Sequence, residues 1–131
     1  VRLEDAGAQP FTAVHPSATF GACVDVGEGV VVCAGVAIST NVRLGRHVHV
    51  NPNATIGHDA DLRDFVSVNP AAVISGEAIV GEGSLVGAAA TVLQGLSVGQ
   101  GSVLGAACLV TKDVPGGVVV KGVPGQWTEY D

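Results

Sequence analysis

Apolar residues recur along this chain at a spacing of six. Seventeen consecutive positions, Val14, Phe20, Val26, Val32 and so on through Leu104 to Val110, are all apolar, with Ile or Leu at several of them. Four residues after each comes a small or β-branched residue, such as Ala18, Val24, Val36, Ala54, Ala72 and Cys108. A period of six matches neither the 3.6 of a helix nor the alternation of a long strand. It predicts short parallel strands joined by tight turns and stacked coil upon coil, an all-β solenoid. The position after the apolar one is often glycine (Gly21, Gly27, Gly45, Gly57, Gly81, Gly87, Gly99, Gly105), which is expected to serve the turns.

This hexad pattern resembles the left-handed parallel β-helix of the hexapeptide acyltransferases. The resemblance implies three hexads per triangular coil, so that residues 18 apart stack, and between five and six coils over Val14 to Pro115. No insertion interrupts the run, so there is no extruded loop and the active residues are expected on the coils themselves. The segment VTKDVPGGVVVKGVPG, Val110 to Gly125, resembles the closing coil of these enzymes, although Gly125 and Gln126 stand where the family continues into a small residue and a cation. Flat-face residues Val31, Ala37, Ala71 and Val73 are expected to be covered between subunits. The family is characteristically trimeric, which implies a homotrimer with sites in the clefts between prisms.

The resemblance also divides the chain. Residues 14–125 are expected to form the acyltransferase β-helix, and residues 126–131 a C-terminal tail. Residues 2–8 have helical composition up to a glycine, Pro10 ends it, and TAVHPSA opens the hexads. In the sialic acid O-acetyltransferases and the UDP-4-amino-sugar N-acetyltransferases of bacillosamine synthesis, a nucleotide-binding α/β domain ends in such a helix before the β-helix begins. Residues 1–13 are therefore either a remnant of a preceding domain or an N-terminal cap. The absence of methionine agrees with a piece of a longer or processed protein.

Composition narrows the function classes. With a net charge of −6 and only Arg2, Arg43, Arg46, Arg63, Lys112 and Lys121 as fixed cations, the chain has no broad basic face for nucleic acid. No apolar run approaches the roughly 20 residues of a membrane helix. Three cysteines (Cys23, Cys33, Cys108) form no disulfide framework or metal-like spacing, which fits a cytoplasmic setting. Aromatic residues number five, Phe11, Phe20, Phe65, Trp127 and Tyr130, too few for a core built on rings.

Candidate chemistry centres on TIGHDADLRDF, residues 55–65. His58 adjoins Asp59, which can fix its tautomer as a general base requires. Gly76 follows one coil later, its N–H available to an acyl oxygen, and Asn51 offers an amide in the preceding hexad. The segment is similar to the one in which the family keeps its base. The resemblance implies an acetyl-coenzyme A-dependent transferase acting on the amine or hydroxyl of a sugar or nucleotide sugar. His58, Asp59 and Gly76 would be catalytic, while Asn51, Lys112 and Lys121 would meet the coenzyme. The family often has a second histidine nine residues after the base, where this chain has Ser67. His49 is expected directly beneath Ser67, its role as a substitute left open, and His15 and His47 are expected to be turn or interface residues. None of the cysteines is expected at the site, Cys23 and Cys33 lacking a histidine partner in the repeat and Cys108 pointing inward. N-acetylation is favoured over O-acetylation of sialic acid or another sugar. Two remoter alternatives are a zinc carbonic anhydrase of the gamma type, whose histidine spacing this chain does not reproduce, and a structural β-helix without a site. No metal is expected.

Overall fold

The computed structural model describes residues 2–128; Tyr130 and the last three positions of the expected tail lie outside the described residues. Eighteen two-residue strands follow one four-residue helix, α1 (Arg2–Asp5). The strands form three parallel sheets, one on each side of a triangular solenoid. Sheet A contains β1 (Ala13–Val14), β4 (Val31–Val32), β7 (His49–Val50), β10 (Ser67–Val68), β13 (Leu85–Val86), β16 (Val103–Leu104) and β18 (Val119–Val120). Sheet B contains β2 (Thr19–Phe20), β5 (Ala37–Ile38), β8 (Thr55–Ile56), β11 (Val73–Ile74), β14 (Thr91–Val92) and β17 (Leu109–Val110). Sheet C contains β3 (Asp25–Val26), β6 (Arg43–Leu44), β9 (Asp61–Leu62), β12 (Ile79–Val80) and β15 (Ser97–Val98). At three strands per coil this makes about six coils. The register step is 18, as Thr55↔Val73 and Ile74↔Val92 show, until the closing turn shortens Val103↔Val119.

The hexad residue and the residue four later both point to the axis. Val32, Ile38, Leu44, Val50, Ile56 and Leu62 are buried, and so are Val36, Val42, Ala54, Ala60 and Ala72. The first three hexad residues, Val14, Phe20 and Val26, remain 37–45% exposed because no coil lies beneath them. Two inward positions carry hydroxyls, and both are satisfied: Ser84 donates to the Gly99 carbonyl at 2.9 Å and Ser102 to that of Pro115 at 2.7 Å. This is how a buried polar atom is tolerated in an apolar axis.

The glycine that follows the hexad residue has a different cause from the one expected. None of the eight takes a positive φ; left-handed backbone falls two residues later, at Asn41, His47, Asn53, Asp59, Phe65, Glu77 and their equivalents. What these glycines provide is approach between coils. A Cβ on Gly81 would lie 2.5 Å from the Gln100 nitrogen, and one on Gly21 2.6 Å from that of Thr40. Ala71 likewise is not a flat-face residue, since it occupies a left-handed turn position with φ 60°. Val31, Ala37 and Val73 are outward residues of β4, β5 and β11 as expected.

Helix α1 is shorter than the helical composition of residues 2–8 suggests, and a turn follows it. It is fastened to the coils by Glu4, which pairs with His47 Nε2 at 2.8 Å and Arg46 Nη2 at 3.3 Å. His47 also stacks on Phe65, ring centroids 5.3 Å apart. The His47 bond, helped by the Arg46 charge, holds the Glu4 carboxyl below its ordinary range. The contribution of this clamp is therefore present above the ordinary carboxylate range and lost as pH falls below it through the lowered Glu4 value. Among the described residues no helix is long and apolar enough to cross a membrane.

Inter-coil approach can be tested by substitution. Gly81→Ala is expected to destabilise the fold by at least about 2 kcal/mol, because the new methyl meets backbone that cannot move without breaking the ladder. Thr55→Ala, on an exposed outward position, should cost less than about 1 kcal/mol. Denaturant melts of the two variants check the contrast, and equal stability would show that the coils have slack.

Candidate functional site

The turn from sheet B to sheet C places His58 and Asp59 on one edge of the prism. Asp59 has φ 59°, a conformation that Asp tolerates better than most residues. Its amide donates to the Thr40 carbonyl one coil below at 3.0 Å, which fixes the turn. The resulting bend brings the carboxylate back onto its neighbour, with Asp59 Oδ2 2.9 Å from His58 Nδ1. A carboxylate can only accept, so in the neutral ring this contact puts the proton on His58 Nδ1 and leaves the lone pair on Nε2. Both side chains are about half exposed, at 48% and 49%.

The imidazole lies across Gly76, one coil further along the same edge. A Cβ at Gly76 would fall 2.5 Å from His58 Nε2 and 2.8 Å from Cε1, so any larger residue there would displace the ring. Gly76 is buried. Its carbonyl accepts from the Gly95 amide at 2.9 Å, whereas among the described residues its N–H meets no acceptor. The edge thus sets an imidazole against a glycine whose N–H meets no acceptor among the described residues, the two kinds of group an acyl transfer uses.

The other expected site residues are distributed over the prism. Lys112 stands on the His58 edge three coils onward, a separation of roughly 14 Å at the usual inter-strand spacing. Its ammonium lies 4.9 Å from the centroid of the Trp127 ring. Asn51 and Lys121 occupy a different edge, between sheets A and B, and sheet B separates them from His58. The Asn51 amide is engaged locally, donating to the Val68 carbonyl at 3.0 Å and approaching Asn69 Oδ1 at 3.4 Å. His49 does lie directly beneath Ser67, in register on sheet A. Sheet A is the side opposite the His58 edge, so neither residue reaches His58 within one prism.

Two further features were missed in the sequence. Cys33 has a histidine partner after all: its Sγ lies 3.6 Å from His49 Nε2. The contact is diagonal, 16 residues apart, and stepping by 18 passes over it. The second is a groove of about 530 Å³ over sheet C, lined by Arg43, Asp61, Arg63, Ile79 and Gln100 but not by His58. There Asp61 Oδ2 pairs with Arg63 Nε at 3.1 Å, while Oδ1 is buried without a partner. Cys108 points inward, and burial raises its thiol above the ordinary range. Among the described residues no group of three or more His, Cys, Asp or Glu side chains could hold a metal ion.

Comparison with known proteins gives a consistent picture. Residues 18–40 and 77–112 match the hexapeptide repeat of succinyl-transferase. A GDP-perosamine N-acetyltransferase of Escherichia coli O157:H7 is 32% identical over 59 residues, 45% of this chain and 27% of that protein. A histidine-to-asparagine variant of perosamine N-acetyltransferase from Caulobacter crescentus, solved with CoA and GDP-perosamine, superposes with a TM-score of 0.94. It is 33% identical, and the match covers 98% of this chain and 61% of that one. The acetyltransferase domain of PglB from Neisseria gonorrhoeae FA1090, solved with acetyl coenzyme A, has a TM-score of 0.92 and 33% identity over 97% of this chain and 62% of that one. The chain thus spans less than two thirds of these relatives.

The tautomer is a direct check on the site. Nitrogen NMR of neutral His58 is expected to place the proton on Nδ1, and Asp59→Ala to release it to the Nε2–H form that free imidazole side chains prefer. A proton on Nε2 in the unaltered protein would show that Asp59 does not hold the ring.

Proposed function

We propose that this hexapeptide-repeat protein, whose homologues are sugar N-acetyltransferases, moves an acetyl group from acetyl-coenzyme A to the amine of a nucleotide-linked sugar. The observation that carries the reading is the imidazole held at Nδ1 by Asp59 with Nε2 over Gly76. It occurs in a chain whose solved relatives hold CoA with GDP-perosamine, or acetyl coenzyme A. The Escherichia coli and Caulobacter crescentus relatives are N-acetyltransferases of perosamine, which favours an amine over a hydroxyl.

In this mechanism the neutral amine attacks the thioester carbonyl carbon as His58 Nε2 takes its proton. Asp59 stabilises the imidazolium that forms. The Gly76 N–H meets the oxyanion of the tetrahedral intermediate, a donor of a kind worth about 3 kcal/mol. Collapse breaks the carbon–sulfur bond, and the imidazolium returns the proton to the departing coenzyme thiolate. No nucleophilic side chain is required.

We assign residues 14–125 as the acetyl-transfer unit and place it in a homotrimer in the cytoplasm, where acetyl-coenzyme A and nucleotide sugars are made. Two observations support the assembly. The outward row of sheet A is largely apolar, with Leu85, Val103 and Val119 36–44% exposed, whereas sheet C presents Asp25, Arg43 and Asp61. In addition, Ser67 and His49 can approach a His58 edge only if that edge belongs to another copy. The coenzyme would run along such a cleft, its phosphates near Lys112 and Lys121.

Turnover of acetyl-coenzyme A with GDP-perosamine is the direct test. His58→Ala should lower it by about 10²-fold or more while leaving coenzyme binding intact; near-normal turnover would remove His58 from the base role. Calorimetric titration of acetyl-coenzyme A should show weaker, less salt-dependent binding in Lys112→Ala and in Lys121→Ala. Unchanged affinity in both variants would dissociate these cations from the phosphates.

A further inference from the structure

Outside the His58 edge, the described residues bring a cysteine thiol against an imidazole. Cys33 directly follows β4, and its amide donates to the Val50 carbonyl at 2.9 Å. His49 is the outward residue of β7, one coil on, with its own amide bound to the Val66 carbonyl at 2.9 Å. Both backbones are therefore pinned by the coil ladder, and the pair does not depend on a loose loop. Its atoms, Cys33 Sγ and His49 Nε2, stand 3.6 Å apart, within reach of an S–H···N bond. Both residues are half-buried, so the sulfur is sheltered but not sealed.

We propose that Cys33 is a modification site for low-molecular-weight disulfides, with His49 as its base. The thiol attacks one sulfur of a disulfide RS–SR while His49 Nε2 takes the thiol proton. A new bond joins Cys33 Sγ to that sulfur and the original sulfur–sulfur bond breaks. The departing RS⁻ then takes the proton from His49 and leaves as RSH. Cys33 is oxidised to the mixed disulfide, the departing sulfur is reduced, and no other oxidant is needed.

The other two thiols make the inference testable inside one molecule. Cys23 is exposed, and among the described residues no histidine contacts it; Cys108 is buried in the axis. Accessibility alone would rank Cys23 above Cys33 and leave Cys108 untouched. Assistance by His49 reverses the first two. The acetyl-transfer reading is not required for this proposal.

The experiment is site-resolved mass spectrometry of the native protein during exposure to glutathione disulfide near neutral pH. Cys33 should form the mixed disulfide at least about tenfold faster than Cys23, an advantage set below the about 10²-fold from which a positioned base's contribution usually starts because Cys33 is the less exposed thiol. His49→Gln should slow Cys33 by about the same factor and leave Cys23 unchanged, with continued protection of Cys108 reporting that the variant is folded. The proposal fails if Cys33 reacts no faster than Cys23 in the unaltered protein, whatever the variant does. It fails equally if a folded His49→Gln protein keeps the full Cys33 rate.

Discussion

Peptide hydrogen bonds between successive coils are what every other feature of this molecule depends on. Each strand is two residues long and could not persist alone. It exists because residue 55 pairs with 73 and 73 with 91, through ladders such as Thr55 N–H to Ala72 carbonyl and Val73 N–H to Ala90 carbonyl. Stability in such a solenoid is a sum of neighbour terms, and the ladder sets their spacing. At the eight places where a glycine follows the strand, that spacing leaves no room for a Cβ, although Cys33, Asn51 and Arg63 carry one at equivalent places. It also forces left-handed backbone two residues later, where no β-branched residue occurs among those with positive φ.

The same constraint builds the candidate site. A catalytic pair on a flexible loop must be held by second-layer contacts. Here a turn geometry repeated along the solenoid does the holding. Asp59 can reach His58 because its left-handed backbone, bound to Thr40 below, curls the carboxylate back onto the ring. His58 can lie flat against the next coil because residue 76 has no side chain. The fixed placement of this pair is thus a by-product of coil stacking.

Much of this was legible because the period is strict. Six-residue spacing gave the strands and the inward rows, while the 18-residue partners, including Ser67 above His49 and Gly76 after His58, followed from the resemblance to a three-sided β-helix. What the spacing could not give was direction transverse to the ladder. The glycines were assigned to turns because a sequence shows that Gly is permitted φ > 0, not that a neighbouring coil's nitrogen stands 2.5 Å from the missing Cβ. Ala71 looked like a face residue because small apolar residues occupy faces and turns alike. Cys33 and His49 escaped notice because side chains lean, and a lean of two residues along the coil brings together groups that vertical stacking keeps apart. The Glu4 clamp was equally hidden, since nothing local connects residue 4 with residues 46 and 47.

A triangular cross-section has one further consequence for any chemistry on the prism. Each edge faces away from the sheet opposite it, so groups on the B–C edge and on sheet A look outward in opposing directions. His58 belongs to that edge, and His49, Ser67 and the apolar row of Val31, Leu85 and Val103 belong to that sheet. No side chain spans the axis, because the axis is filled by Val, Ile, Leu and Ala with no polar passage beyond the two bonded serines. A site that draws on both surfaces must therefore be made between copies. Packing copies around a common axis would do this, each contributing an edge to one cleft and a sheet to another. The outward row of sheet A is largely apolar, with Leu85, Val103 and Val119 partly exposed, whereas sheet C sets Asp25, Arg43 and Asp61 beside Ile79, so of the two sheets A has the more to gain from such cover.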